Sequence, residues 1–422
     1  MRTIVLLFIT VLALPANLLA ASGSAYPYDD PFQATVYGTP PELVHTIKAP
    51  ANTKLRSLRI KNRQVPSVFS YSDEMYYTTA LQDDEAPLIF IIAGTGAEHN
   101  STKMKFLTQA FHQAGYHVVA LSSPTHMNFI VSVSEFAAPG YVPHDVDDLY
   151  RVMLWIKKEI EQEREITDYF ITGYSLGAMH AAFLTHKDSE LGDFNFRKTL
   201  MINPPVSLYH SVGRLDSWLT PKNLGNRTEH EEIERLVNIF SSYYERANVT
   251  DLDDDFLYEM ITHVDLKDED LRALIAVDFR VSSSSMIFSS DVCLQAGYIV
   301  PPDAYPLTAG TPLMPYAEEA FDISFEEYMT EFLLPYLQHL YPAMDRYDML
   351  KSCSLYPIRS YLKETDKIVL IGNRDDVILN KQDLSFINSV FGTRAKLFPT
   401  GGHCGNIMFG PFVESMLEMV KP

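Results

Sequence analysis

The stretch Gly173-Tyr174-Ser175-Leu176-Gly177 sets a serine between two glycines, after an apolar run (Tyr169, Phe170, Ile171) and before an Ala/Met-rich helical segment. A serine on a tight strand-to-helix turn has its hydroxyl pushed above the sheet edge. Side chains two residues before and after it would strike the neighbouring strand and helix, so both positions want glycine. The helix that follows aims its N-terminus at the reacting centre, where negative charge develops in acyl transfer. At neutral pH a serine hydroxyl is a weak nucleophile and needs a base that is itself oriented by a third group. If Ser175 is the nucleophile, an acid should follow a later strand and a histidine the last one.

The C-terminal region supplies both in that order. "KIVLIGNRDDVI" ends an apolar run with Asp375 and Asp376, and "LFPTGGHCG" ends the next with His403 behind the glycines at 401 and 402. Asp375 is favoured as the acid because it follows Gly-Asn-Arg directly and Val377 and Ile378 return to the core. Asp376 is the alternative, otherwise a solvated neighbour or a helix cap. Oxyanion donors are expected at the backbone N–H of Leu176 and of Thr95, which lies between Gly94 and Gly96 after the apolar run Pro87 to Ala93. His126 and Asn128, in "SSPTHMNF", are candidate substrate contacts, with a histidine satisfied by loop carbonyls as the competing reading. No zinc-like cysteine spacing is present, and neither a metal nor another cofactor is called for.

These residues need elements to hold them. "PLIFIIA", "YHVVAL", "DYFIT", "KTLMINPP", "DKIVLIG" and "AKLF" read as strands, with helical patterns between several of them. From Asp145 to Arg164, Val146, Leu149, Val152, Met153, Ile156 and Ile160 share one helical face. Alternation of this kind predicts a parallel sheet with helices on both faces. It stops between Pro205 and about Tyr356. There Ile233 to Tyr244 and Phe325 to Leu337 keep helical spacing, Pro335 should kink the second helix, and "DLDDDF" (Asp251 to Phe256) reads as an acidic helix start. The division expected is a leader at 1–25, a core at 26–205, a mainly helical insertion at 206–356 and the rest of the core at 357–422.

The serine, acid and histidine order of Ser175, Asp375 and His403, with the Gly173 to Gly177 elbow, resembles the α/β-hydrolase superfamily over about 88–205 and 366–422. The resemblance implies an α/β fold with a mostly parallel eight-stranded sheet, the insertion acting as a lid, and esterase or lipase-like chemistry. One departure is the oxyanion loop, whose usual His-Gly opening reads Ala93-Gly94. Amide or peptide cleavage by the same residues, and a non-catalytic member using the fold as a binding scaffold, are the competing functional readings.

Composition bounds the partners. The 422 residues carry 34 Lys and Arg against 54 Asp and Glu, a net charge of −20, which disfavours nucleic acid and anionic membrane surfaces. A small-molecule ester or acyl substrate is the partner expected. Arg2, the apolar run Ile4 to Leu14 and the small-residue stretch to Ala25 have the form of a secretory signal peptide, so a secreted or periplasmic location is expected. Of three cysteines, Cys293 and Cys353 are the plausible disulfide pair, and Cys404 is expected to remain a buried thiol.

Overall fold

The computed structural model of the chain describes residues 25–61, 63–236 and 266–421. Almost all of the leader, the "DLDDDF" segment and the later part of the 233–244 spacing lie outside those residues. The strands are β1 (Lys54–Leu58), β2 (Met75–Ala80), β3 (Ala86–Ile92), β4 (His117–Leu121), β5 (Ile166–Tyr174), β6 (Lys198–Ile202), β7 (Ile368–Asn373) and β8 (Ala395–Phe398). They form one sheet in the order β1-β2-β4-β3-β5-β6-β7-β8. β2 runs antiparallel to β1 and β4, and the remaining pairs are parallel. The six apolar runs read from the sequence are β3 to β8. β1 and β2 were not foreseen: "KLRSL" is a short, largely exposed edge strand with no apolar run to announce it.

The helices used below are α1 (Pro31–Tyr37), α2 (Thr102–Gln113), α3 (Met127–Ser132), α4 (Val142–Ile160), α5 (Leu176–Leu191), α6 (Leu208–Ser217), α7 (Asp268–Leu294) and α8 (Met314–Asp322). β3 shows why the central strands are apolar throughout. Leu88, Phe90 and Ile92 join one core with Leu149, Val152, Met153 and Ile156 of α4, while Ile89 and Ile91 join a second core with Leu107 and Phe111 of α2. Alternate residues of a strand face opposite sides, so a sheet covered on both faces admits no polar side. Helix 410–419 adds Phe412, Val413 and Met416 to the α2 side, and helix 381–391 adds Phe386, Ile387 and Val390 to the α4 side.

Between β6 and β7 the described residues contribute helices and no strand. The 27-residue α7 packs on α6, α8, α3 and α1. Arg280, 2 % exposed, fastens this group: it donates to Asp216 of α6 (3.1 Å), to Glu229 (3.0 Å) and to the Phe321 carbonyl of α8 (3.0 Å). Its charge is balanced by two carboxylates, as burial of a guanidinium requires. Ahead of Pro335, where a kink is expected, the chain makes a π-helical turn, Tyr328–Leu333, and continues as helix Leu334–Leu340. The wider turn accommodates the N–H that proline lacks.

The expected Cys293–Cys353 disulfide is not formed; both are free thiols in different surroundings. Cys353 is buried and its Sγ donates to the Gly140 carbonyl (3.3 Å), whereas Cys293 faces a separate cavity of about 350 Å³ beside Val65 and Pro66. Burial pushes the Cys293 thiol up to about 12. Cys404 is a buried free thiol. Among the described residues, no helix is long and apolar enough to cross a membrane.

Candidate active site

All the parallel strands of such a sheet deliver their C-terminal ends to one edge, and ligands bind in the crevice outside it. Ser175 sits there, between β5 and α5, with φ +53° and ψ −125°. Few non-glycine residues adopt that conformation, and holding it costs about 1 to 3 kcal/mol. The glycines at 173 and 177 are fixed by space. A Cβ on Gly173 would overlap the Gly177 carbonyl, and one on Gly177 would overlap the carbonyl oxygens of Ile92 and Ala93 at the end of β3. The turn stays joined to the sheet through the Ser175 N–H, which donates to the Ile202 carbonyl of β6 (2.9 Å).

The Ser175 hydroxyl lies 2.9 Å from His403 Nε2. On the far side of the ring, Nδ1 is 3.0 Å from each carboxylate oxygen of Asp376. The pattern assigns the proton to Nδ1, leaving Nε2 to accept from the serine. Burial works against a charged imidazole here, yet the charge and hydrogen bond of Asp376 prevail and hold His403 well above its usual value.

The structure therefore corrects the choice of acid. Asp375 does not face the imidazole: its carboxylate accepts the N–H groups of Gly401 and Gly402 (3.1 Å each) and so ties down the loop that carries His403. Asp376, kept as the alternative, is the residue against the ring. It is neither solvated nor a plain cap; it is 4 % exposed and also accepts from Asn203 Nδ2 (2.8 Å) and the Ile378 N–H (3.1 Å). One residue of register separates two carboxylates with different duties, and alternation of side-chain direction decides between them.

The expected oxyanion donors both line the cleft with Ser175. Leu176 is the first residue of α5, so its N–H has no partner inside the helix. Thr95 stands at the second position of a turn closed by the Ala97 N–H on the Gly94 carbonyl (3.0 Å), a position whose own N–H the turn does not use. Thr125 Oγ1 accepts the Gly96 N–H (2.8 Å) and holds the turn from β4's side.

His126 and Asn128 do not line the cleft, which corrects their reading as substrate contacts. His126 caps α3 and accepts the Asn128 N–H (3.3 Å), while Asn128 bridges to the Tyr76 N–H (3.0 Å) and the Glu74 carbonyl (2.8 Å). Both are spent on positioning α3 against β2.

Sequence reasoning missed three supporting residues. Asn203, with φ +47° at the end of β6, holds Asp376. Asn373 and Asn406 form a buried reciprocal pair (2.9 and 2.7 Å), and Asn373 also donates to the Gly402 carbonyl (2.8 Å). Asn203 and Asn373 stand at strand ends and Asn406 in a turn, places where asparagine is common enough that only the fold singles these out.

The cleft has a volume of about 810 Å³. One wall is apolar: Leu208, Val212 and Leu215 of α6, Leu274 and Phe279 of α7, and Ile378 beside the acid. Polar groups, among them Glu98, Lys103 and Asp278, line the rest. Apolar side chains facing a cavity, with a few convergent polar groups at one end, have the form that small-molecule sites take.

The sheet order, the serine after β5, the acid after β7 and the histidine after β8 define the α/β-hydrolase fold. No protein-family model matches the chain. No curated protein matches it in sequence. Among solved structures it is similar to a fungal esterase from Rhizomucor miehei, at 12% identity over 92% of this chain and 93% of that one, TM-score 0.43. It is similar to an esterase from Pyrococcus furiosus at 11% identity over 88% of this chain and 90% of that one, TM-score 0.42. The thioesterase domain of the curacin biosynthetic pathway aligns at 13% identity over 87% of this chain and 99% of that one, TM-score 0.41.

Glycine relieves the strain at 175 and alanine does not, so Ser175→Gly should exceed Ser175→Ala in stability by about 1 kcal/mol in denaturant unfolding, the reverse of the usual order. Asp376→Asn should lower the reactivity of Ser175 by about 10⁴-fold, as loss of the orienting carboxylate does in such triads. Asp375→Asn, which keeps one acceptor for the loop, should lose no more than about 10-fold; equal losses in the two variants would contradict the assignment of the acid.

Proposed function

We propose that this chain is an exported serine hydrolase that cleaves a carboxylic ester bearing an apolar acyl group. The reading is carried by the unbroken hydrogen-bond chain from Ser175 Oγ through His403 to Asp376 at the reactive end of the cleft. His403 Nε2 takes the hydroxyl proton as Oγ bonds to the carbonyl carbon, and the C=O electron pair moves onto oxygen. The N–H groups of Thr95 and Leu176 receive that oxyanion, each donor worth about 3 to 4 kcal/mol of transition-state stabilisation. As the intermediate collapses, the C–O bond to the alcohol breaks and Nε2 returns its proton to the leaving oxygen. Water, deprotonated by the same imidazole, then releases the acid and restores Ser175.

The apolar wall from α6, α7 and Ile378 supports an apolar acyl group, because desolvating such surface is favourable by about 25 cal/mol per Å². In this reading the helices between β6 and β7 serve as a lid, since α6 and α7 form that wall. Export rests on the leader-like sequence of residues 1–25.

A series of p-nitrophenyl esters of rising chain length, with matched anilides, tests the reaction. Rapid mixing should show a burst of about one p-nitrophenol per enzyme before steady turnover, the mark of an accumulating acyl-enzyme. Longer acyl chains should lower KM until the apolar wall is filled. Anilides turned over as fast as esters would replace the ester reading with amide cleavage, and no turnover of either would remove the enzyme reading.

The pH dependence has a definite sign. Attack needs neutral His403, and Asp376 raises its pKa, so kcat/KM should rise with pH through a midpoint above the ~6.5 of free imidazole. Asp376→Asn removes the raising charge and should move the residual activity's midpoint downward. A wild-type midpoint at or below that of free imidazole would contradict the electrostatic account.

A further inference from the structure

The loop that presents His403 has an anchor outside the sheet. The His403 N–H donates to Thr35 Oγ1 (2.9 Å), and that hydroxyl donates in turn to the Pro31 carbonyl (2.6 Å), so its lone pair is aimed at the loop. α1, seven residues long, starts at an Asp30 cap that accepts the N–H groups of Phe32 and Gln33 (2.9 Å each). Its backbone lies against the histidine loop closely enough that a Cβ on Gly402 would overlap the Pro31 carbonyl and Thr35 Oγ1, and one on Gly405 the Ala34 carbonyl. Thr39 Oγ1 donates to the Gly405 carbonyl (2.9 Å), and the His45 N–H to the Met408 carbonyl (2.8 Å), so the contact continues beyond the histidine. On its other side α1 meets the helices that wall the cleft: Phe32 packs edge-on to Trp218 (5.4 Å between centroids) and lies under Arg272 of α7 (4.6 Å). Thr35 and Val36 themselves line the cleft.

We infer that Thr35 is a positioning residue for His403, and that α1 is the strut that sets the imidazole relative to both Ser175 and the α6–α7 wall. The inference rests on the serine-hydrolase reading. It adds to that reading a residue more than 360 positions away in sequence and outside the sheet. Asp376 fixes the ring at Nδ1, but one hydrogen bond on a side chain leaves the backbone of a glycine-rich loop free to shift. Asp375 restrains that backbone from the β7 side and Thr35 from the opposite one. Removal of the Thr35 acceptor leaves the His403 N–H unpaired and lets Nε2 move with respect to Oγ. A displacement near 1 Å at a reacting pair costs about 10²-fold in rate.

The test uses the full chain and three proteins: wild type, Thr35→Val, which keeps the shape and loses the acceptor, and Thr35→Ser, which keeps the acceptor. Ester hydrolysis, its pH profile and thermal unfolding are measured for each. Thr35→Val should lose about 10- to 100-fold in kcat with KM and Tm close to wild type, and Thr35→Ser should recover to within about threefold. The pH midpoint should stay where it is in Thr35→Val, because Asp376 still faces Nδ1. Wild-type kcat in Thr35→Val would overturn the inference. So would a kcat loss that tracks a fall in Tm and is not recovered by serine, which marks a purely structural contact. A wild-type protein inactive on every ester would instead overturn the serine-hydrolase reading, and the assignment of Thr35 with it.

Discussion

α5 crosses the end of β3 so closely that nothing larger than a hydrogen fits at Gly177, and the chain must reverse from strand to helix within one residue. Ser175 takes that residue's strain, at φ +53°. This crossing fixes more than the serine. It sets the first N–H of α5 beside the hydroxyl and brings the turn after β3, with Thr95, to the same point. It also leaves an opening at the sheet edge that loops from β6, β7 and β8 can reach. Burial on both faces of β3 supplies the free energy that holds the strained turn, because the Leu88–Ile92 run is packed into two cores at once. A strained residue persists only where its surroundings over-determine it.

Charge is then arranged around the opening in layers. Asp376 is desolvated, but it is met by the imidazole, by Asn203 and by the Ile378 N–H, so its negative charge is directed at Nδ1. The loop bearing His403 is rich in glycine and would be loose alone. It is restrained from three sides, by Asp375, by the Asn373–Asn406 pair and by Thr35. The helical segment between β6 and β7 is fastened by the buried Arg280 and its two carboxylates, and α1 joins it to the loop that carries His403.

Much of this was legible in the sequence because it is local. Continuous apolar runs mark strands covered on both faces, and a serine flanked by glycines at two-residue distance marks the turn. A histidine behind two glycines, after the last apolar run, completes the order. What escaped was set by tertiary context. Asp375 and Asp376 are adjacent and equally acidic, and only the path of the chain after β7 shows which one meets the ring. His126 and Asn128 stand at the right sheet edge but are consumed in capping α3 and pinning β2. β1 carries no apolar run, and α1 is a single short helix whose Thr35 is indistinguishable from any surface threonine until the fold brings the histidine loop against it. Free cysteines 293 and 353 make the same point, since sequence proximity in one segment says little about distance in a helical insertion.

If Ser175 is a nucleophile activated through His403 and Asp376, a fluorophosphonate should phosphonylate its hydroxyl. After incubation near neutral pH, mass spectrometry of the digested protein should place one phosphonyl group on the peptide carrying Ser175. Labelling should be absent in Ser175→Ala and strongly slowed in His403→Ala. Folded wild-type protein that stays unlabelled, or that is labelled elsewhere while Ser175 remains free, would rule out Ser175 as the nucleophile.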